Sequence, residues 1–200
     1  MAKNIEPNLK LISDYLKLKK DENFVIPEYQ RAYSWEIEQC DKLWQDIESF
    51  ISSGANDPYF FGTIIVDCSN TNKFSLIDGQ QRTSTFLLLL KALLLRINEV
   101  LPNIPEKDEE SKGLKAGLEA RRNTIMTILY KAEAEEIPSM LKDHSKIKNI
   151  PMLENKSINE LYPDEIKKIV EAINFDDAEH NVYKMPRKQK DNKYTNYFKN

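Results

Sequence analysis

A chain of 200 residues with 40 % hydrophobic side chains can bury a real core, and it fits one ordinary domain or one domain with an incomplete second lobe. A formal net charge of −3 excludes an all-over basic coat, although the charge is uneven: residues 36–110 carry 13 acidic and 6 basic groups, and 181–200 carry 6 basic and 1 acidic. Cys40 and Cys68 have neither metal-type spacing nor partner histidines, so they read as core or surface thiols.

The opening MAKNIEPNLK lacks an apolar leader segment. The most hydrophobic run, 86–95, spans ten residues and contains Lys91, too short and too charged to cross a bilayer. A cytoplasmic location is expected. NLKLISDYLKL (8–18) sets Leu9, Ile12, Leu16 and Tyr15 on one helical face, and NFVIP follows as a brief strand stopped by Pro27. EYQRAYSW (28–35) has neither a helical nor a strand period and reads as an ordered loop. In IEQCDKLWQDIESFI (37–51) the apolar residues recur at helical spacing with acids opposite, and Ser52, Ser53 and Gly54 end the pattern.

YFFGTIIVD (59–67) and KFSLID (73–78) are β-rich runs joined by CSNTN, a hairpin composition. A helix is expected from about 80 to 100. LPNIPEKDEESKG (101–113) is the best internal boundary, followed by helical patterns at 114–136 and 157–174, the latter with Ser157 and Glu160 spaced as a capping box. The aromatic ending, with Tyr194, Tyr197 and Phe198, looks like the start of another element, so the chain reads as a module of a longer protein. Its basic residues Lys184, Arg187, Lys188, Lys190, Lys193 and Lys199 fit either a solvated linker or a contact to DNA phosphates.

Two stretches carry chemistry. In FSLIDGQQRTSTF a strand delivers Asp78, Gly79 permits a tight turn, and Gln80 to Arg82 fall in the first helical turn. The backbone N–H groups there lack intrahelical acceptors and the helix dipole favours an anion. Arg82 adds a guanidinium, and Gln81, Thr83, Ser84 and Thr85 add neutral donors. The plainer alternative makes Asp78 the N-cap, with Gln81 completing an amide capping box. A carboxylate beside an anion cradle fits a metal–nucleotide site, in which Asp78 holds Mg²⁺. In IPEYQRAYSW, Arg31 stands beside Gln30 among Tyr29, Tyr33 and Trp35. These are either packed rings with a surface cation, or stacking faces with a second phosphate contact. No Walker lysine motif is present, and His144 and His180 are isolated.

IPEYQRAYSW, LWQDI, YFFGTIIV and LIDGQQRTSTFLLLLKAL, in that order, resemble the N-terminal domain of GmrSD-type restriction endonucleases, within the ParB/sulfiredoxin-like superfamily. The matching positions are Ile26, Pro27, Tyr29, Gln30, Arg31, Tyr33 and Trp35, then Leu43, Asp46 and Ile47, then Phe61 and Gly62, then Asp78 to Arg82. Where the family has Leu-Thr-Thr after the arginine, this chain has Thr83, Ser84 and Thr85. The resemblance implies an α+β fold, a small twisted mixed sheet flanked by helices, with a nucleotide-binding domain at 1–101 and a mostly helical lobe at 114–200. It further implies Mg²⁺-dependent hydrolysis of a nucleoside triphosphate. Asp78, Gln81 and Arg82 would be catalytic, Asp78 the metal ligand, and Gln30, Arg31, Tyr33, Trp35, Gly79, Gln80, Thr83 and Thr85 nucleotide-binding. The partners implied are an HNH-type nuclease domain or subunit and DNA, with modified phage DNA the form the resemblance points to. The alternatives are a nucleotide- or DNA-binding module without turnover, or a ParB-like nuclease.

Overall fold

The computed structural model describes residues 5–31, 33–55, 57–148, 150–157, 170, 171, 173 and 174. They form an α+β fold around a four-stranded mixed sheet of order β2-β3-β1-β4. Strands β1 (Asn23–Ile26), β3 (Lys73–Asp78) and β4 (Leu153–Asn155) run parallel, with β1 in the middle, and β2 (Ile65–Asp67) pairs antiparallel with β3. Central β1 buries Phe24, Val25 and Ile26, as a strand covered on both faces does.

Helix α1 covers only Ile12–Leu16 and has no side-chain cap. Leu16 is buried and the Tyr15 ring lies 5.0 Å from Phe24, but Leu9, expected on that face, is 84 % exposed. Helix α2 (Ile37–Ser53) begins with a capping box between Glu36 and Gln39, not anticipated from the sequence, and ends at Gly54 in the left-handed conformation.

The β-rich run 59–67 becomes strand only at Ile65. Gly62, at φ 96°, turns the chain out of extended geometry, so 59–64 is irregular. The hairpin to β3 forms as its composition suggests. Its ladder carries a bulge: Ile65 pairs with Asp78 and Val66 with Leu76, so Ile77 is skipped.

Helix α3 (Gln80–Val100) matches its expected limits and packs on α4 (Glu109–Leu129). Helix α4 starts five residues ahead of the expected 114 because Asp108 caps it, accepting from Ser111 N at 2.7 Å. The short helix α5 (Ile137–Lys142) follows. Segments on both sides of 101–113 share one sheet and one core, since β4 pairs with β1, and Leu129, Met152 and Ile173 join Leu16, Phe24 and Leu76. The 157–174 helix with its Glu160 cap partner falls mostly outside the described residues, as do His180 and the basic ending. Among the described residues no helix is long and apolar enough to cross a membrane.

Two polar side chains hold the β4 margin. Asn174 Oδ1 accepts from Met152 N (2.9 Å) and Leu153 N (3.0 Å), while its Nδ2 donates to Leu153 O (2.7 Å). A side-chain amide thus does for β4 what a further strand would do. Lys131 lies just past α4 at φ 49°, a conformation usually given to glycine. Its buried ammonium donates to the carbonyls of Glu22 and Pro151.

Burial pushes the Lys131 amine down to about 8, against the smaller opposing pull of Glu22 and Asp21. Because its folded value lies below the unfolded one, the stability Lys131 contributes is complete above about pH 10.5 and lost as pH falls through about 8. Chemical denaturation between pH 7 and 10 is therefore expected to show a rise in stability with pH that Lys131→Met reduces. An unchanged slope in the variant refutes the assignment.

Candidate functional site

Because β3, β1 and β4 are parallel, their carboxyl ends at Asp78, Ile26 and Asn155 gather at one edge of the sheet. Ligands of open α/β sheets bind in the crevice at such an edge. Here α3 starts directly on the end of β3. The helix N-cap is Gly79 at φ 87°, with no side-chain cap bond. A Cβ on Gly79 would meet Ile64 Cγ1 at 2.8 Å, so conformation and space both call for glycine. The first helical bond there runs from Thr83 N to Gly79 O (2.9 Å). The amides of Gln80, Gln81 and Arg82 precede it and stand at the positive end of the dipole. Asp78 is therefore not the cap. It is the last residue of β3, and its carboxylate is 60 % exposed.

Arg82 lies on the flank facing the 59–64 segment. Its Nη1 donates to Thr63 O at 2.6 Å, and its Nη2 stands 3.9 Å from Asp78 Oδ2. That ion pair is partly solvated, so it contributes under about 1 kcal/mol. Gly62 makes the approach possible: a Cβ there would lie 2.5 Å from Nη1.

Gln80 and Ser84, four residues apart, share the other flank, since residues two apart do not face each other on a helix. They line a recess with Ile26, Tyr33, Gln81, Leu153, Asn155 and Val170. Its accessible volume of about 10 Å³ suits a single water molecule. Gln80 is 6 % exposed and makes no hydrogen bond among the described residues. Gln81 is as deeply buried, but its Oε1 accepts from Ser34 N at 2.8 Å.

The 27–36 loop is tied to α3 and β3 by side chains. The buried Tyr33 hydroxyl lies 2.7 Å from Thr85 Oγ1, which also donates to Gln81 O at 2.8 Å. Gln30 Nε2 donates to Ile77 O at 2.7 Å, satisfying the residue that the bulge leaves out of the ladder. Trp35 is half-buried against the core. Arg31 is exposed, with no hydrogen bond or ion pair among the described residues.

The sequence-derived residues thus separate into groups. Asp78 and Arg82 stand together on one flank, Gln80, Gln81 and Tyr33 meet around the recess, and Gln30 braces the loop from β3. Thr83 and Thr85 are buried and bond to the carbonyls four residues back and to Tyr15 and Tyr33, so their hydroxyls are used inside the fold. Ser84, read from the sequence as a neutral donor, is the hydroxyl that lines the recess. Sequence reasoning passed over Asn155 and the spacing role of Gly62; Gly62 was findable from its place in the quoted Phe-Gly motif, and nothing local marked Asn155. Among the described residues no three His, Cys, Asp or Glu side chains cluster as a metal-binding group, and Asp78 is the carboxylate that ends β3.

No curated protein matches the chain. The family model for the GmrSD restriction endonuclease N-terminal domain matches residues 12–200, from the first helix through all four strands and beyond, and by that match the chain belongs to this family.

Proposed function

We propose that the chain is the nucleotide-binding and nucleotide-hydrolysing regulatory module of a DNA-restriction system in phage defence. Family membership carries the coarser part, a restriction endonuclease system. The observation that supports the nucleotide reading is the corner itself: a strand end, a left-handed glycine and uncapped first-turn amides beside a half-exposed carboxylate–guanidinium pair. Phosphate oxygens fit the amides and the Arg82 Nη2 group, since Nη1 is already engaged by Thr63 O. Exposed Arg31 offers a second cation, and Tyr33 with Trp35 shapes the loop that carries it.

Asp78 alone suits a magnesium ion that takes its remaining ligands from phosphate and water, the usual mode for this metal. When bound, the ion supplies charge neutralisation. The protein groups supply the rest: the amides and Arg82 oppose negative charge on the transferred phosphoryl group, and a glutamine amide of the Gln80–Gln81 pair orients water. DNA cleavage is assigned to a separate HNH-type domain or subunit.

The test is phosphate release from a panel of nucleoside triphosphates with Mg²⁺, run beside calorimetric binding on the full-length protein. Turnover above background with at least one nucleotide is expected. Binding without release makes the chain a ligand-operated switch, and neither binding nor release ends the nucleotide reading.

A further inference from the structure

The motif holds two adjacent glutamines of equal burial, and their side chains have different neighbours. Gln81 is woven into the 27–36 loop. Its Oε1 accepts the Ser34 amide, its carbonyl accepts Thr85 Oγ1, and Thr85 in turn meets the Tyr33 hydroxyl. The chain around Tyr33 to Trp35 is thereby docked on the first turn of α3. Gln80, by contrast, is more than nine-tenths buried, makes no hydrogen bond among the described residues, and lines the recess beside Ser84 and Asn155. Its length is buried, but neither amide atom is among the fully shielded unpaired polar atoms, so the amide end stays open to water or a ligand.

We infer that the two glutamines divide their work: Gln81 is a positioning residue that acts through the 27–36 loop, and Gln80 is the amide that meets water or ligand at the mouth of the site. This rests on the nucleotide reading for its second half only. The first half concerns a loop and is measurable without nucleotide. Ser34 N–H needs an acceptor, so a carboxylate at position 81 keeps the bond, whereas a truncated side chain loses it.

The test uses the full chain with Gln81→Ala, Gln81→Glu and Gln80→Ala. Loop docking is read from Trp35 emission in a Trp44→Phe background and from amide exchange over 29–35. Phosphate release gives kcat and KM. Gln81→Ala is expected to red-shift Trp35, speed loop exchange and lower kcat/KM roughly tenfold, the scale of one lost hydrogen bond to a committed partner. Gln81→Glu is expected to recover the emission and most of that loss. Gln80→Ala is expected to leave emission and loop exchange as in the wild type while kcat falls roughly a hundredfold, the scale of one preorganised donor.

A docked loop in Gln81→Ala overturns the positioning role, as does failure of Gln81→Glu to restore docking. Wild-type kcat in Gln80→Ala overturns the second assignment. If the wild-type protein itself neither binds nor turns over nucleotide, the proposed function fails and the assignment of Gln80 falls with it, while the loop readouts still decide Gln81.

Discussion

Arg82→Ala is expected to lower nucleoside-triphosphate turnover by roughly a hundredfold or more, the loss typical of removing one fixed charge-stabilising group from a phosphoryl-transfer site. Three effects act together. The cation beside the first-turn amides is lost, the Asp78 carboxylate is left without its partner at an anion site, and Thr63 O loses the donor that ties the 59–64 segment to α3. Arg82→Lys separates them, because an ammonium keeps the charge yet cannot reproduce the planar fork that reaches Thr63 and the ligand side at once. It should retain binding better than turnover. Steady-state phosphate release with a melting curve for each variant is the measurement, and a folded Arg82→Ala protein with wild-type kcat would remove Arg82 from the mechanism.

Asn174→Ala is expected to cost about 3 kcal/mol, since it strands the N–H groups of Met152 and Leu153 and the carbonyl of Leu153 at a buried strand margin. Against the roughly 5–15 kcal/mol that holds a domain together, that is a large fraction, and it corresponds to about a 10 °C fall in melting temperature for a chain of this size. Asn174→Asp keeps the acceptor but sets a carboxylate oxygen against the Leu153 carbonyl and buries its charge, so at neutral pH it is expected to cost at least as much as the alanine change. Thermal and urea unfolding check both. A change under about 1 kcal/mol in the alanine variant shows that water replaces the amide and that β4 does not depend on it.

Much of this architecture is legible in the chain because its strongest signals are local. Helices α2 and α3 follow from apolar period, and the corner at 78–82 follows from a strand pattern meeting a glycine and then a helix pattern. The misses have a common physical origin in partners far away in sequence. MLEN (152–155) carries glutamate and asparagine, which strands disfavour, and becomes β4 through β1, more than a hundred residues earlier, and the amide of Asn174. The 59–64 run has strand composition, yet Gly62 bends it so that Arg82 can reach Thr63. At the candidate site, residue types pointed to the corner at 78–82 without saying which polar groups the fold itself would use. Thr83, Thr85 and Gln30 resemble free donors in sequence and are bonded within the fold in three dimensions.

The place of β1 between β3 and β4 has a consequence for the order of assembly. Its pairing with β3 closes a loop of about fifty residues, while its pairing with β4 closes one of about a hundred and thirty. On a ribosome the first pairing can form well before the second strand has emerged, leaving one side of β1 open for the interval. Non-local parallel pairing is slow to form, and an open strand edge is a template for wrong partners. The recess beneath Gln80, which needs Leu153 and Asn155 for its wall, is accordingly a late product of folding, and so is any function that depends on it.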